Sequence, residues 1–335
     1  MPGEPSNPHD ALFRYVMSRS VDVAGELRAV LPAALVARVD WDSLALEPGS
    51  YVSTGLRSRY SDVLFRARID GRNSYIYLLV EHQSRPDRFM PLRMMEYVIR
   101  IWDRFLEDNP KAKLLPAVVP VVVHNSPVGR HWNTPTELVE LIDVPAGLES
   151  ALGDHLPRLR LILDDLSRVD IKALRARELT PAARVMLVVQ KVAPGNPNLG
   201  RDLLPLVDDL HALVAEPNGL DDLRCVVTYI FLVGETGEDE LGPVIDELGP
   251  RAKEVIVTTA ERLQAEGRAK GRVEGRVEGR AEALVETLTE LLTIKFGPLP
   301  ATAADRIRSA GNGQLQAWTR RVLTATSLDE VLDRT

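Results

Sequence analysis

Two β-prone runs separated by a turn constrain this chain most: Ser61-Asp62-Val63-Leu64-Phe65, and Tyr75-Ile76-Tyr77-Leu78-Leu79-Val80-Glu81-His82-Gln83-Ser84. Both are rich in β-branched and aromatic residues, and Asp70-Gly71-Arg72-Asn73 between them is turn material. Residues 62–69 and 74–83 therefore read as a β-hairpin. Pairing Ile69 with Ser74 sets a register in which Asp62 stands directly opposite Glu81, with Gln83 one diagonal step away on the same side. Alternation supports it. Val63, Phe65, Ala67 and Ile69 share a side with Ile76, Leu78, Val80 and His82, and a slip by one residue would turn carboxylates into that apolar side.

Asp62 alone passes for a turn residue at a strand start. Glu81 does not, because an ionised carboxylate within an apolar strand needs a partner. Two neighbouring carboxylates repel, and one keeps its proton unless a cation shares the site. Oxygen donors suit Mg²⁺, Mn²⁺ or Ca²⁺, and Mg²⁺ held by one or two carboxylates with several waters is the usual arrangement beside phosphates. Asp62 and Glu81 are thus the candidate metal ligands.

With 335 residues the chain has room for two domains, or for one sizeable domain with helical appendages. A hydrophobic content of 45% beside 27% charged residues is that of a soluble globular protein, and the longest apolar runs, residues 114–123 and 225–233, are too short to cross a bilayer. Residues 1–10 carry no apolar leader core, and the single cysteine, Cys225, sits among apolar residues as a buried thiol would. A cytoplasmic protein is the expectation. The net charge of -7 argues against a chain that coats nucleic acid, so any DNA contact must be local. Arg57, Arg59, Arg66, Arg68, Arg72, Arg85, Arg88 and Arg93 surround the hairpin, Arg66 on the carboxylate side; a merely solvated surface is the plain alternative.

Along the chain, residues 11–17 read as a helix capped by Asp10, residues 22–31 as a second helix, and residues 51–56 as an extended lead into the hairpin. Residues 89–105 form an amphipathic helix expected to cover the apolar side of the sheet. The continuous apolar run ending at His124 suggests a strand buried on both faces, and residues 160–165 one more strand. Helices follow at 182–192, 202–215, 220–234 and 243–248. Four repeats then run from Glu266-Gly267-Arg268-Ala269 to Glu278-Gly279-Arg280-Ala281 in a charged helical stalk, either self-associating or simply solvated. Leu288, Leu291, Leu292, Phe296, Leu315, Trp318, Val322 and Leu323 are the expected core of a small helical tail. The division is 1–170, 171–252, 253–282 and 283–335.

The Ser61–Phe65 run, Glu81-His82-Gln83-Ser84, Met90-Pro91-Leu92-Arg93 and the helix through Ile101-Trp102 resemble the Rpn family of recombination-promoting nucleases and transposase-like proteins, within the PD-(D/E)XK nuclease superfamily. The likeness begins at His9-Asp10-Ala11-Leu12-Phe13 and extends through Val121-Val122-Val123-His124-Asn125. The Gly-Arg repeats and Lys295-Phe296-Gly297-Pro298-Leu299-Pro300 are similar to tails carried by such proteins.

The resemblance implies an α/β fold, a restriction-endonuclease-like core with a mixed sheet, followed by an α-helical region and a helical tail. It also implies a Mg²⁺-dependent DNA endonuclease that hydrolyses phosphodiester bonds in recombination. Asp62 matches the metal-binding Asp, Glu81 the second acid, and Gln83 the position usually held by Lys. Because an amide brings no positive charge, Arg66 is the candidate substitute, and Glu26 or Asp10 the candidate third acid. Two other readings stay open: a nuclease fold that binds DNA or a partner without cutting, and a scaffold that assembles through its stalk.

Overall fold

Asp70 and Gly71 both adopt positive φ, 50° and 74°, as the two central residues of a type I′ hairpin turn must. In the computed structural model, which describes residues 7–48, 63–81, 86–126 and 129–332, three antiparallel strands meet around this turn: β1 (Val39–Leu46), β2 (Val63–Ile69) and β3 (Arg72–Glu81). Ile69 pairs with Arg72 and Val63 with Leu78. The sequence reading pairs Ile69 with Ser74, so it is two residues out: the expected four-residue loop closes as two. A shift of two preserves which residues share a face. It removes the direct opposition of Asp62 to Glu81, and Asp62 itself lies outside the described residues.

Three helices, α1 (Pro8–Met17), α2 (Ser20–Val30) and α3 (Ala33–Val36), precede β1. Asn7, not Asp10, caps α1, its side chain accepting from the His9 N–H at 3.2 Å. Asp10 falls in the first turn, where a carboxylate meets the positive end of the helix dipole. Gly25 lies mid-helix in α2, at a cost of about 1 kcal/mol in helix propensity. A Cβ there would stand 2.7 Å from the Glu178 carbonyl, so only glycine lets α2 seat against that backbone.

After the hairpin, α4 (Met90–Asp108) crosses back to β4 (Val118–His124), which runs parallel to β3, and β5 (Ile162–Asp165) lies parallel beside it. The order is β1-β2-β3-β4-β5, the mixed sheet expected. As the sequence suggested, β4 is buried on both faces: Val121 and Val123 enter one apolar core and Val122 another. Met90, Met94, Tyr97 and Ile101 of α4 pack on Leu64, Tyr75 and Val122. That is the opposite face from the one expected, because Leu64 and Tyr75 make the second side apolar too.

The Val63, Phe65, Ala67 and Ile76 face is covered by α1, α2 and later helices. Short α5 (Glu149–Leu152) and α6 (Ile171–Arg175) lead to α7 (Pro181–Val192), α8 (Leu199–Leu203), α9 (Val207–Ala215), α10 (Gly219–Val233) and α11 (Gly242–Leu248). Val185, Val188, Leu213 and Tyr229 of these helices bury in the same cluster as Phe65 and Val121, so sheet and helices share one core.

The chain divides into two compact units, Met1–Ala260 and Glu261–Thr335. A single helix, α12 (Pro250–Phe296), runs unbroken through all four Gly-Arg repeats. In the second unit, α13 (Ala301–Ser309), α14 (Asn312–Arg321) and α15 (Leu328–Leu332) pack with the end of α12 around Leu288, Leu292, Leu315, Trp318 and Val322. Leu323, expected in this core, is 80% exposed just past the end of α14. No helix among the described residues is long and apolar enough to cross a membrane.

Candidate active site

The carboxyl ends of the three parallel strands fall in one row: Glu81 pairs with His124, and His124 with Asp165. Sheets of this kind place ligands outside the carboxyl ends of their parallel strands. His124 is fully buried. Its Nε2 lies 3.0 Å from the Arg130 carbonyl, which can only accept, so Nε2 carries the proton and donates. Nδ1 is then an acceptor, and it is buried with no hydrogen-bond partner among the described residues.

The loop over His124 is held by Asp165. Trp132 meets the His124 ring edge-on, with centroids 5.3 Å apart, while its backbone N–H donates to Asp165 Oδ2 at 2.9 Å. The Ser167 N–H donates to Asp165 Oδ1 at 3.2 Å, and Arg168 Nε stands 3.2 Å from Oδ2. Asp165 thus organises the loops after β4 and β5. Arg88, Arg130 and the side chain of Arg168 are exposed on the loops that leave the same end of the sheet.

Hydrogen bonds tie the start of α1 to this end. Asn125 Nδ2 donates to the Gln190 carbonyl at 3.0 Å, and Gln190 Nε2 donates to the His9 carbonyl at 2.8 Å. Burial lowers the His9 pKa, which keeps the ring neutral and able to accept from the Tyr229 hydroxyl at 2.7 Å. Asp10, half-buried in the next position, is therefore anchored near the end of β4. Ser126 Oγ and Gln190 Oε1 are, like His124 Nδ1, buried without a partner among the described residues.

Glu26 is committed elsewhere. It is fully buried, and both its oxygens accept from Arg177 Nη1, at 2.9 and 3.0 Å. The same guanidinium grips Asp164 through Nη1 at 2.8 Å and Nη2 at 2.9 Å. Burial, and after it the charge of Asp164, pushes the Glu26 pKa up to about 8. Burial also works against the charge of Asp164, but hydrogen bonds from Arg177 and Glu26 hold its pKa below the ordinary value. One proton on Glu26 balances the three groups. Asp164 pairs with Val123, whose side chain enters the core on the α2 side, whereas His124 meets Trp132 on the α4 side. The structure does not bring Glu26 to the row.

Nor does it bring Arg66 there. Arg66 pairs with Tyr75 and its Nε contacts Glu47 Oε1 at 2.7 Å. Position 81 is roughly 20 Å farther along β3 at the ordinary rise of a strand. Asp62 and Gln83 lie outside the described residues, and Glu81 is described by its backbone place at the end of β3. Among the described residues no three His, Cys, Asp or Glu side chains gather as a metal set. A cleft of about 240 Å³ bordered by Arg19, Asp22, Thr180 and Asp222 lies among the helices instead, with its two acids bound to Arg19.

The residues that build this sheet end fall within the match to a protein family described as "Putative transposase, YhgA-like", which spans residues 7–221. The chain belongs to this family. The likeness read from the hairpin and from His9-Asp10 is thereby borne out. Among YhgA-like relatives, recombination-promoting nuclease RpnD of Escherichia coli O157:H7 is 31% identical over 264 residues, which is 77% of this chain and 94% of that protein. Recombination-promoting nuclease RpnA of Escherichia coli K12 is 30% identical, over 78% of this chain and 85% of its own length. A third relative from the same strain, named inactive recombination-promoting nuclease-like protein RpnE, is 29% identical over 78% of this chain and 83% of its own. No solved structure is significantly similar.

Proposed function

We propose that this YhgA-like chain is a divalent-metal-dependent DNA endonuclease with a PD-(D/E)XK-type site at the carboxyl end of β3. The observation that carries the reading is the row itself, in which an acid ends one parallel strand beside a histidine whose buried Nδ1 has no partner among the described residues. Such an acceptor takes an ion or an ordered water, and the acid beside it makes this end of the sheet compatible with a cation. The names of RpnD and RpnA support the substrate class.

Asp62 and Glu81 would hold Mg²⁺ or a similar ion, which when bound lowers the pKa of water and neutralises charge on phosphate. Gln83 orients the attacking water through its amide, without charge. Arg88, Arg130 and Arg168 offer guanidinium groups for flanking phosphates. The water oxygen bonds to phosphorus and gives up one proton to solvent, a phosphorus–oxygen bond to the sugar breaks, and the leaving oxygen takes a proton from solvent. The substrate sets the compartment, the DNA-bearing cytoplasm.

The test is nicking of supercoiled plasmid by the full chain in Mg²⁺. Nicking is expected, and Asp62→Ala or Glu81→Ala should lower it by about a hundredfold or more. An inert wild type, or an Asp62→Ala variant as active as wild type, overturns the reading. Gln83 and the relative named inactive favour one alternative, a fold that binds DNA without cutting. It predicts plasmid retention on gels with no nicked product.

A further inference from the structure

We infer that α4 carries a second apolar seam on which another copy of this chain docks in parallel, making a two-fold dimer; the inference stands apart from the nuclease reading. Leu92, Met95, Ile99, Trp102 and Leu106 follow one another at alternating intervals of three and four residues, the a and d spacing with which one helix meets another. They lie on a different side of α4 from Met90, Met94, Tyr97 and Ile101, which face the sheet, and none of them enters an apolar core of the described residues. Leu92, Ile99 and Leu106 are each 43–46% exposed, and Met95 and Trp102 are half-buried. A helix that has only to cover a sheet keeps its outer face polar.

The seam continues onto the segment after α4. Trp102 Nε1 donates to the Pro116 carbonyl at 2.9 Å, which sets the preceding Leu115, 46% exposed, and Leu114, 79% exposed, beside it. Together these side chains present roughly 500 Å² of apolar surface, at the upper end of what a monomer leaves to water. An ordinary interface buries about 800 Å² on each partner, roughly 60% of it apolar, so the patch has the size that a stable dimer needs.

Charge selects the occupant and its direction. Glu96 and Asp103, both exposed, border the seam on one side, and exposed Lys111 and Lys113 lead into Leu114 on the other. A two-fold axis running along α4 sets the acidic border of each copy against the basic border of the other, as the flanking charges of a parallel coiled coil do. An antiparallel pair would set acids against acids. The parallel axis also leaves the carboxyl ends of β3, β4 and β5 of both copies at the same end of the dimer.

Size-exclusion chromatography of the full chain with light scattering tests this, together with two variants. Wild type should have about twice the 37.1 kDa mass of one chain. Ile99→Glu puts a carboxylate at the middle of the seam and should weaken dimerisation by about a hundredfold or more. Its far-ultraviolet circular dichroism should match that of wild type, because residue 99 enters no core. Leu106→Cys, made together with Cys225→Ser, should cross-link to its own counterpart under mild oxidation, since parallel pairing puts each a residue opposite itself.

A monomeric wild type overturns the inference, and if Leu106→Cys in that monomer also resists a maleimide, a segment of the same chain covers the seam. A dimer that persists in Ile99→Glu overturns it too and moves the contact to another surface. Where Ile99→Glu fails to fold, the cross-link decides, and without it the parallel docking falls.

Discussion

Glu81 and His124 are direct partners in parallel register at the outer ends of β3 and β4. The sequence separates them by more than 40 residues, and only the crossover through α4 makes them neighbours. What keeps that end ordered is the next residue in the row, Asp165, whose carboxylate receives two backbone N–H groups and faces Arg168.

Asp165→Ala should therefore loosen the loop that carries Arg130 and Trp132. Leaving those donors without an acceptor costs about 1–3 kcal/mol, to be read as a lower midpoint in urea denaturation. Hydrogen exchange should rise at Trp132 and Ser167 while the centre of β4 stays protected. Unaltered protection at Trp132 would show that the loop is held by other contacts.

The sheet was largely legible because strands announce themselves through β-branched runs, as Val118–His124 did. Register was less so. Asp70-Gly71 is itself a type I′ signal, but the polar Arg72-Asn73 that follows invites a longer loop, and the resulting two-residue error set Arg66 opposite Tyr77 where the structure pairs it with Tyr75. Strand β1 was missed because the pairing with β2 shifts between Asp40 and Ala45, which interrupts the alternation that marks a strand. The Glu26–Asp164–Arg177 cluster could not be read at all, since Arg177 stands 151 residues from Glu26 and long-range ion pairs leave no local pattern.

In the proposed site Gln83 stands where the resemblance to PD-(D/E)XK nucleases implies a cationic Lys. Gln83→Lys adds that charge beside the phosphate and should raise the plasmid-nicking rate by about tenfold, a modest part of what placed electrostatic groups contribute. Initial rates in Mg²⁺ decide it. A slower variant would mean that the amide itself orients the water and that a longer, charged side chain disturbs it.

The four repeat glycines of α12, Gly267, Gly271, Gly275 and Gly279, have open space around the position of a Cβ. Replacing them by Ala should raise helicity, each change favouring the helix by about 1 kcal/mol, with plasmid nicking unaltered. Circular dichroism measures the first and the nicking assay the second. A fall in molar mass by light scattering on the same variant would mark the glycines as a seam between copies of the chain.

Glu26 gives the fold a pH dependence whose sign follows from its proton. Its pKa is pushed up to about 8 by burial and the nearby Asp164, against an ordinary value of 4.5. Below pH 4.5 folded and unfolded chains both hold this proton, so the group adds no slope. Between 4.5 and 8 the folded chain keeps a proton that the unfolded chain releases, and stability falls as pH rises. Above 8 both have released it, and the buried triad carries an uncompensated charge. Asp164, held below its ordinary pKa, acts oppositely and only in acid, its contribution being lost as pH falls through that range. Glu26→Gln keeps the hydrogen-bonding shape without the titration, so its stability curve from pH 5 to pH 8 should be flatter than that of wild type. Arg177→Met leaves two acids buried without their cation and should cost about 3–5 kcal/mol near neutral pH. Urea melts across the pH series measure both, and a Glu26→Gln slope identical to wild type would mean that Glu26 is ionised throughout.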